Sequence, residues 1–117
     1  MIDFDAAIRK HSEWKFRFQE AVFQGKQLDD AAIGRDNQCE LGKWLHGDAK
    51  AAYGASPSYA KCRNAHAAFH TEAGKVAVAV NGGRRDAVKE MLGPASAFAE
   101  ASKVVSVALI ELKNTKK

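Results

Sequence analysis

The chain has 117 residues, 46% hydrophobic and 27% charged, with 18 basic against 14 acidic side chains and a formal charge of +4. That length suits one domain, and the apolar share suffices for a core. Much of the surplus charge sits in the tail Lys113, Lys116 and Lys117, where fraying over 113–117 is the expectation. It is not the basic face interleaved with readout residues that nucleic-acid binding needs.

No apolar run nears the roughly 20 residues of a membrane helix. The start Met1-Ile2-Asp3-Phe4-Asp5 has no basic stretch ahead of an apolar one. A cytoplasmic chain without direct membrane insertion is therefore expected. Two cysteines in such a chain argue for metal or redox chemistry over a structural disulfide.

In chain order, residues 3–24 predict a first helix. Phe4, Ile8, His11, Trp14 (or Lys15), Phe18 and Val22 recur at steps of three and four and make one apolar stripe, and Gly25 ends it. Residues 25–37 read as a loop rich in breakers, with Leu28 and Ile33 pinning it to the body.

A short second helix is expected over 38–46. Asp36 or Asn37 would cap it, Asn37 with Glu40 resembling a capping box, so that Cys39 falls in the first turn, where free N–H groups favour a thiolate. Gly47-Asp48 is a turn signal, and 49–53 adds another helical turn.

Ser56-Pro57 opens a third helix running to about Val80, a capping serine with proline at the first helical position. Its inward face carries Tyr59, Cys62, His66, Phe69, His70, Ala73 and Val76 or Ala77. A fourth helix spans about 84–92. Gly93-Pro94 breaks it, and a last helix follows over 96–113, with Phe98, Ala101 or Ser102, Val105, Ala108 or Leu109, and Leu112 on its apolar side. No repeat, low-complexity segment or strand-period run interrupts this. The expected fold is an all-α antiparallel four-helix bundle with a short extra helix carrying Cys39.

Four residues stand out chemically. His66 and His70 lie four apart, on one face of a helix, and can hold one metal ion together. With His11 and Cys39 they supply three imidazoles and one thiolate, a full tetrahedral set for zinc. Cys39 as a nucleophile would need a free base and an open site. Four protein ligands leave no open position, which argues against an enzyme. Cys62, one turn before His66, reads best as a small buried core residue, the alternatives being a ligand or a thiol that traps oxidised Cys39. His46 is a spare ligand candidate that reads better as a half-exposed helix-end residue.

The segments His11-Ser12-Glu13-Trp14, Cys39-Glu40-Leu41-Gly42-Lys43-Trp44 and His66-Ala67-Ala68-Phe69-His70 together resemble the chemoreceptor zinc-binding (CZB) domain, in the pattern His-x-x-Trp, Cys-x-Leu-Gly-x-Trp, His-x-x-x-His. The resemblance covers most of the chain, from Phe4 into the last helix. His-x-x-x-His alone is a weak signal, but the three-part pattern is strong.

The resemblance implies a Zn2+-binding regulatory domain, commonly a homodimer, attached to or acting on chemoreceptors or diguanylate cyclases in chemotaxis and cyclic-di-GMP signalling. It further implies sensing of zinc or of hypochlorous acid through Cys39. Trp14, Leu41, Gly42 and Trp44 would support the ligands, the indoles by excluding water and Gly42 by admitting another helix. The short helix carrying Cys39, tethered less than the long ones, would be the part that releases. The alternative function is a structural zinc that stabilises a dimerisation module. A hemerythrin-type di-iron bundle wants more histidines and motifs such as His-x-x-x-Glu, which His70 does not begin, and a Cys ligand is wrong for it.

Overall fold

The computed structural model describes residues 2–37 and 39–115. Among these the chain is helical throughout, without strands: α1 (Phe4–Ser12), α2 (Trp14–Gln24), α3 (Asp30–Ile33), α4 (Glu40–His46), α5 (Asp48–Tyr53), α6 (Pro57–Asn81), α7 (Arg85–Met91) and α8 (Ala97–Asn114). The organising element is α6. Its 25 residues rise about 37 Å at 1.5 Å per residue, most of the 45 Å long axis of the molecule. Helix α8 lies along it, α1 packs on α8, and α2 and α3 pack on α6.

The all-α class is as expected, and the helices expected over 3–24, 56–80, 84–92 and 96–113 are present as the α1–α2 rod, α6, the seven-residue α7 and α8. The predicted inward face of α6 is buried; on the first rod Phe4, His11 and Phe18 are buried while Ile8, Trp14 and Val22 are half-buried, as are Ala101 and Ser102 on α8. On α6 both Val76 and Ala77 are enclosed, and on α8 Phe98, Val105, Ala108, Leu109 and Leu112 are.

The first helix is one rod with a break, not the continuous helix expected over 3–24. Glu13 stays in the right-handed region (φ −73°, ψ −16°) and its N–H still reaches Arg9. Just before it, the His11 ring and the Ser12 hydroxyl both donate to carbonyls four residues back, those of Ala7 and Ile8. Side-chain bonding of this kind competes with the backbone ladder and bends helices. The rod ends as expected at Gly25, whose φ of 69° is a left-handed cap.

The segment 25–37, expected as loop, contains the single turn α3, capped by the Asp29 carboxylate on the Ala32 N–H. Asn81, at the end of α6, clamps the approach to it: its amide accepts from the Leu28 N–H at 2.7 Å and donates to the Leu28 carbonyl at 2.9 Å. Leu28 and Ile33 pack on the core as predicted. At the other end of the chain α8 reaches Asn114, and Lys113 pairs with Asp5 at 2.8 Å. Lys116 and Lys117, in the tail expected to fray, lie outside the described residues.

Candidate metal centre

Three elements bring the four donors together. The α1 stripe turns His11 inward, and α6 presents His66 and His70 one turn apart. The turn into α4 delivers Cys39. All four side chains place a ligand atom within 4.8 Å of every other. The Cys39 Sγ lies 3.3 Å from His66 Nε2, 3.6 Å from His70 Nε2 and 4.0 Å from His11 Nε2, and the His66 and His70 Nε2 atoms are 3.0 Å apart. A tetrahedron with Zn–S near 2.3 Å and Zn–N near 2.1 Å has edges of about 3.6 Å (S···N) and about 3.4 Å (N···N). These four distances match those edges to within about 0.4 Å.

The histidine orientations carry a second message. His11 Nδ1 is 2.7 Å from the Ala7 carbonyl, and His70 Nδ1 is 2.8 Å from the Ile33 carbonyl. A carbonyl can only accept, so each Nδ1 holds the hydrogen and each Nε2 turns a lone pair to the centre. Fixing the ligand tautomer through the other ring nitrogen is the usual device of metal-binding histidines. His66 Nδ1 is buried and has no hydrogen-bond partner among the described residues. Such an atom costs about 1–3 kcal/mol, and it sits beneath the cluster, where stability yields to the geometry of the donors.

Burial sets the protonation. Desolvation pushes the His11 imidazole down to about 4 and His66 down to about 2, and it lowers His70 as well. All three are neutral at pH 7, the form that binds metal. Desolvation also raises the Cys39 thiol, against smaller lowering contributions from backbone N–H groups led by that of Gly42. The expected bias of Cys39 toward thiolate at a helix start is therefore corrected. Cys39 is not in the first turn but is the N-cap itself, in extended conformation (φ −88°, ψ 163°), and Gly42 N–H donates to its Sγ at 3.3 Å. Neither Asp36 nor Asn37 caps this helix. In the metal-free chain burial wins, and the thiolate awaits a bound cation, which deprotonates a coordinating thiol outright.

Gly42 is explained differently from the expectation as well. A Cβ there would stand 1.7 Å from the Asp36 carbonyl oxygen, so what approaches is the chain entering α4, not another helix. Leu41 and Leu45 are buried, and the Tyr59 hydroxyl donates to the Leu45 carbonyl at 2.6 Å. Helix α4 is thus held more firmly than its short length suggested. Trp14 stands half-buried beside His11 and Cys39, with the Arg17 guanidinium 4.9 Å from its ring centre. Trp44 packs instead on Phe4 and Tyr53. The aromatic ring enclosed against the imidazoles is Phe69, 5.1 Å from His11 and 5.3 Å from His70 between centroids.

Two residues considered as spare ligands stay out of the cluster. Cys62 is fully buried, and desolvation pushes its thiol up to about 12. His46 points outward, with Nε2 3.0 Å from an Asp36 carboxylate oxygen and Nδ1 3.2 Å from the Arg63 guanidinium.

Sequence reasoning missed the Ile33 carbonyl and what brings it to His70. Gly34 and Gly74 let α3 meet α6 backbone to backbone, since a Cβ on Gly74 would lie 2.9 Å from Gly34 Cα. The two glycines were the available signal. The carbonyl left none, because every residue has one.

Residues 11–77 match the sequence profile of the chemoreceptor zinc-binding domain. The chain belongs to this family. It is a zinc-binding domain, of a family associated with chemoreceptors, and its His11, Cys39, His66 and His70 form a group placed to bind a metal ion. No curated protein and no solved structure matches the chain. No helix of the described residues is long and apolar enough to cross a membrane.

Proposed function

We propose that this CZB domain is a cytoplasmic, non-catalytic sensor in which His11, Cys39, His66 and His70 hold one zinc ion and the state of the zinc–thiolate bond is the signal. The observation that carries the reading is the convergence of three imidazoles and one Sγ, all within 4.8 Å of one another and with Sγ 3.3–4.0 Å from each Nε2, with two of the imidazoles oriented by backbone carbonyls. Four protein donors make a closed site, suited to occupancy or redox sensing and not to hydrolysis. Trp14, Leu41, Gly42 and Trp44 support the site by packing around Cys39 and its helix.

Two inputs fit this chemistry. Emptying the site loosens elements that the metal joins. Alternatively, hypochlorous acid transfers oxygen to the thiolate, giving Cys39 sulfenic acid and chloride and weakening the sulfur's hold on zinc. The output, on this reading, is regulation of a chemoreceptor or diguanylate cyclase, in chemotaxis or cyclic-di-GMP signalling. Metal analysis of the purified chain before and after hypochlorite tests it. About one zinc per chain is expected, released as Cys39 is oxidised, and zinc that survives full oxidation of Cys39 would exclude the redox input.

A second reading, a structural zinc that stabilises a homodimerisation module, draws support from Val104, Val107 and Ile110, which stand 42%, 47% and 47% exposed on α8. The small residues of α6 and α8 are the proposed contact. Light scattering that shows a monomer at every accessible concentration would remove the dimer. Zinc that resists mild chelators and oxidants would favour the structural role.

A further inference from the structure

The four donors are not equally reachable. His66, His70 and His11 are 0%, 3% and 4% exposed and Cys39 alone is half-buried, so what sets His11 apart from the other two histidines is the open space it lines together with Cys39. On the α3 side the Gly34–Gly74 backbone contact packs α3 onto α6, and the groove there touches none of the four donors. On the opposite side a cavity of about 300 Å³ between α1 and the start of α4 touches both Cys39 and His11, with Ala6, Lys10, Trp14 and Glu40 among its walls. A zinc ion with six waters, at about 30 Å³ per water, needs about 180 Å³, so the cavity has room for the hydrated ion.

Its rim mixes signs. Asp3 and Glu40 offer carboxylates to an arriving dication, while Lys10 and Arg17 offset them. Lys10 and Glu40 reach across the mouth to each other at 3.7 Å, both largely exposed. An exposed pair of this kind is weak and opens readily.

We propose that this cavity is the metal-exchange port of the domain: hydrated zinc enters through it to meet Cys39 and His11 first, and small donors such as thiols withdraw zinc by attacking from the same side. His66 and His70, held at the back, are then the last ligands to let go. The inference rests on the four donors holding zinc, and it adds a direction and a gate to that site.

The port is tested by the rate of zinc transfer from the zinc-loaded chain to pyridylazoresorcinol, with free cysteine as the small competing donor. Ala6→Phe, and the milder Ala6→Leu should the first fail to fold, fill the cavity from a half-buried position that is not a ligand. They should slow transfer by about tenfold, the effect of roughly 1.4 kcal/mol on a barrier, with equilibrium zinc affinity unchanged. Thr71→Trp, in the groove on the α3 side, should leave the rate alone. Unchanged rates in the Ala6 variants, or slowing by Thr71→Trp, would overturn the port. Failure of the metal reading shows differently, as a wild-type chain that carries no zinc from the start.

Discussion

The two halves of the metal site are built on opposite terms. His66 and His70 stand on the long helix α6, fully enclosed, and the His70 ring is locked by a carbonyl from α3. Cys39 stands at the N-cap of a seven-residue helix, half-buried, at the end of a loop whose backbone presses on Gly42. His11 joins them from the α1–α2 rod. The α6 half holds its shape through core packing that does not involve metal. The Cys39 half relies on α4 being seated by Leu41, Leu45 and Tyr59 and on the path of a few loop residues. An event at the sulfur can therefore alter one half and leave the other in place, which is what a zinc–thiolate sensor needs.

The strongest way to break this contrast is to remove a ligand from each half. Cys39→Ala and His66→Ala should each lower zinc retention sharply, by far more than tenfold, because loss of one of four donors forfeits a large share of the binding free energy. They should differ in the metal-free chain. Cys39→Ala leaves the core untouched, whereas His66→Ala opens a hole beneath α6. Zinc content and thermal melting of both variants check this. Retained zinc in both would show that the metal sits elsewhere.

Gly42→Ala comes next. The added methyl collides with the Asp36 carbonyl, so the loop must move, carrying Cys39 with it. A cost of about 1–3 kcal/mol is expected, as for overpacking elsewhere, together with weakened zinc binding. Denaturant titration with and without zinc measures both.

Reactivity sharpens the contrast further. In the zinc-loaded chain Cys39, opened to solvent by the cavity and held as thiolate by the metal, should react with hypochlorite ahead of Cys62, which is buried and keeps its proton. Peptide mapping by mass spectrometry decides it, and hydrogen exchange on the same sample should show loss of protection beginning at 36–47 with α6 protected. Modification mainly at Cys62 would end the Cys39 switch, and protection lost in all helices at once would end its locality.

A smaller, pH-dependent effect follows from the directions of the shifts. The histidines are depressed and already neutral at pH 7, while the Cys39 thiol is raised and protonated there. Zinc binding near pH 7 should thus release about one proton, from the thiol alone. Calorimetry in buffers of different ionisation enthalpy counts it, and release of two or more would contradict neutral imidazoles. For the metal-free chain the sign is opposite to that of a charged, paired histidine. Each folded-state pKa lies below the unfolded 6.5, so the unfolded chain takes up protons first as the pH falls, and stability drops from about pH 6.5, down to about 4 on account of His11 and on toward 2 on account of His66. The smallest effect belongs to His46→Ala. It removes a half-exposed pair with Asp36 worth less than about 1 kcal/mol and should leave zinc affinity unchanged.

Much of this was legible in the sequence because local rules governed it. Helical periodicity marked the buried faces of α6 and α8, Ser56-Pro57 and Gly25 marked ends, and the spacing of His66 and His70 put two donors on one helix face whatever surrounded them. His11 and Cys39 could be grouped with them by residue type and motif pattern.

Tertiary structure decided what depends on meetings between distant segments. The Ile33 carbonyl reaches the His70 ring only because two glycines let α3 lie on α6. The Asp36 carbonyl explains Gly42, and the break at Glu13 follows from His11 and Ser12 bonding backward. Cys39 became the cap in place of Asp36 or Asn37 because the chain must turn there to bring Sγ to the histidines. Backbone carbonyls and the volume beside Cys39 belong to no residue type, so no pattern of side chains announces them; they exist only once the helices have packed.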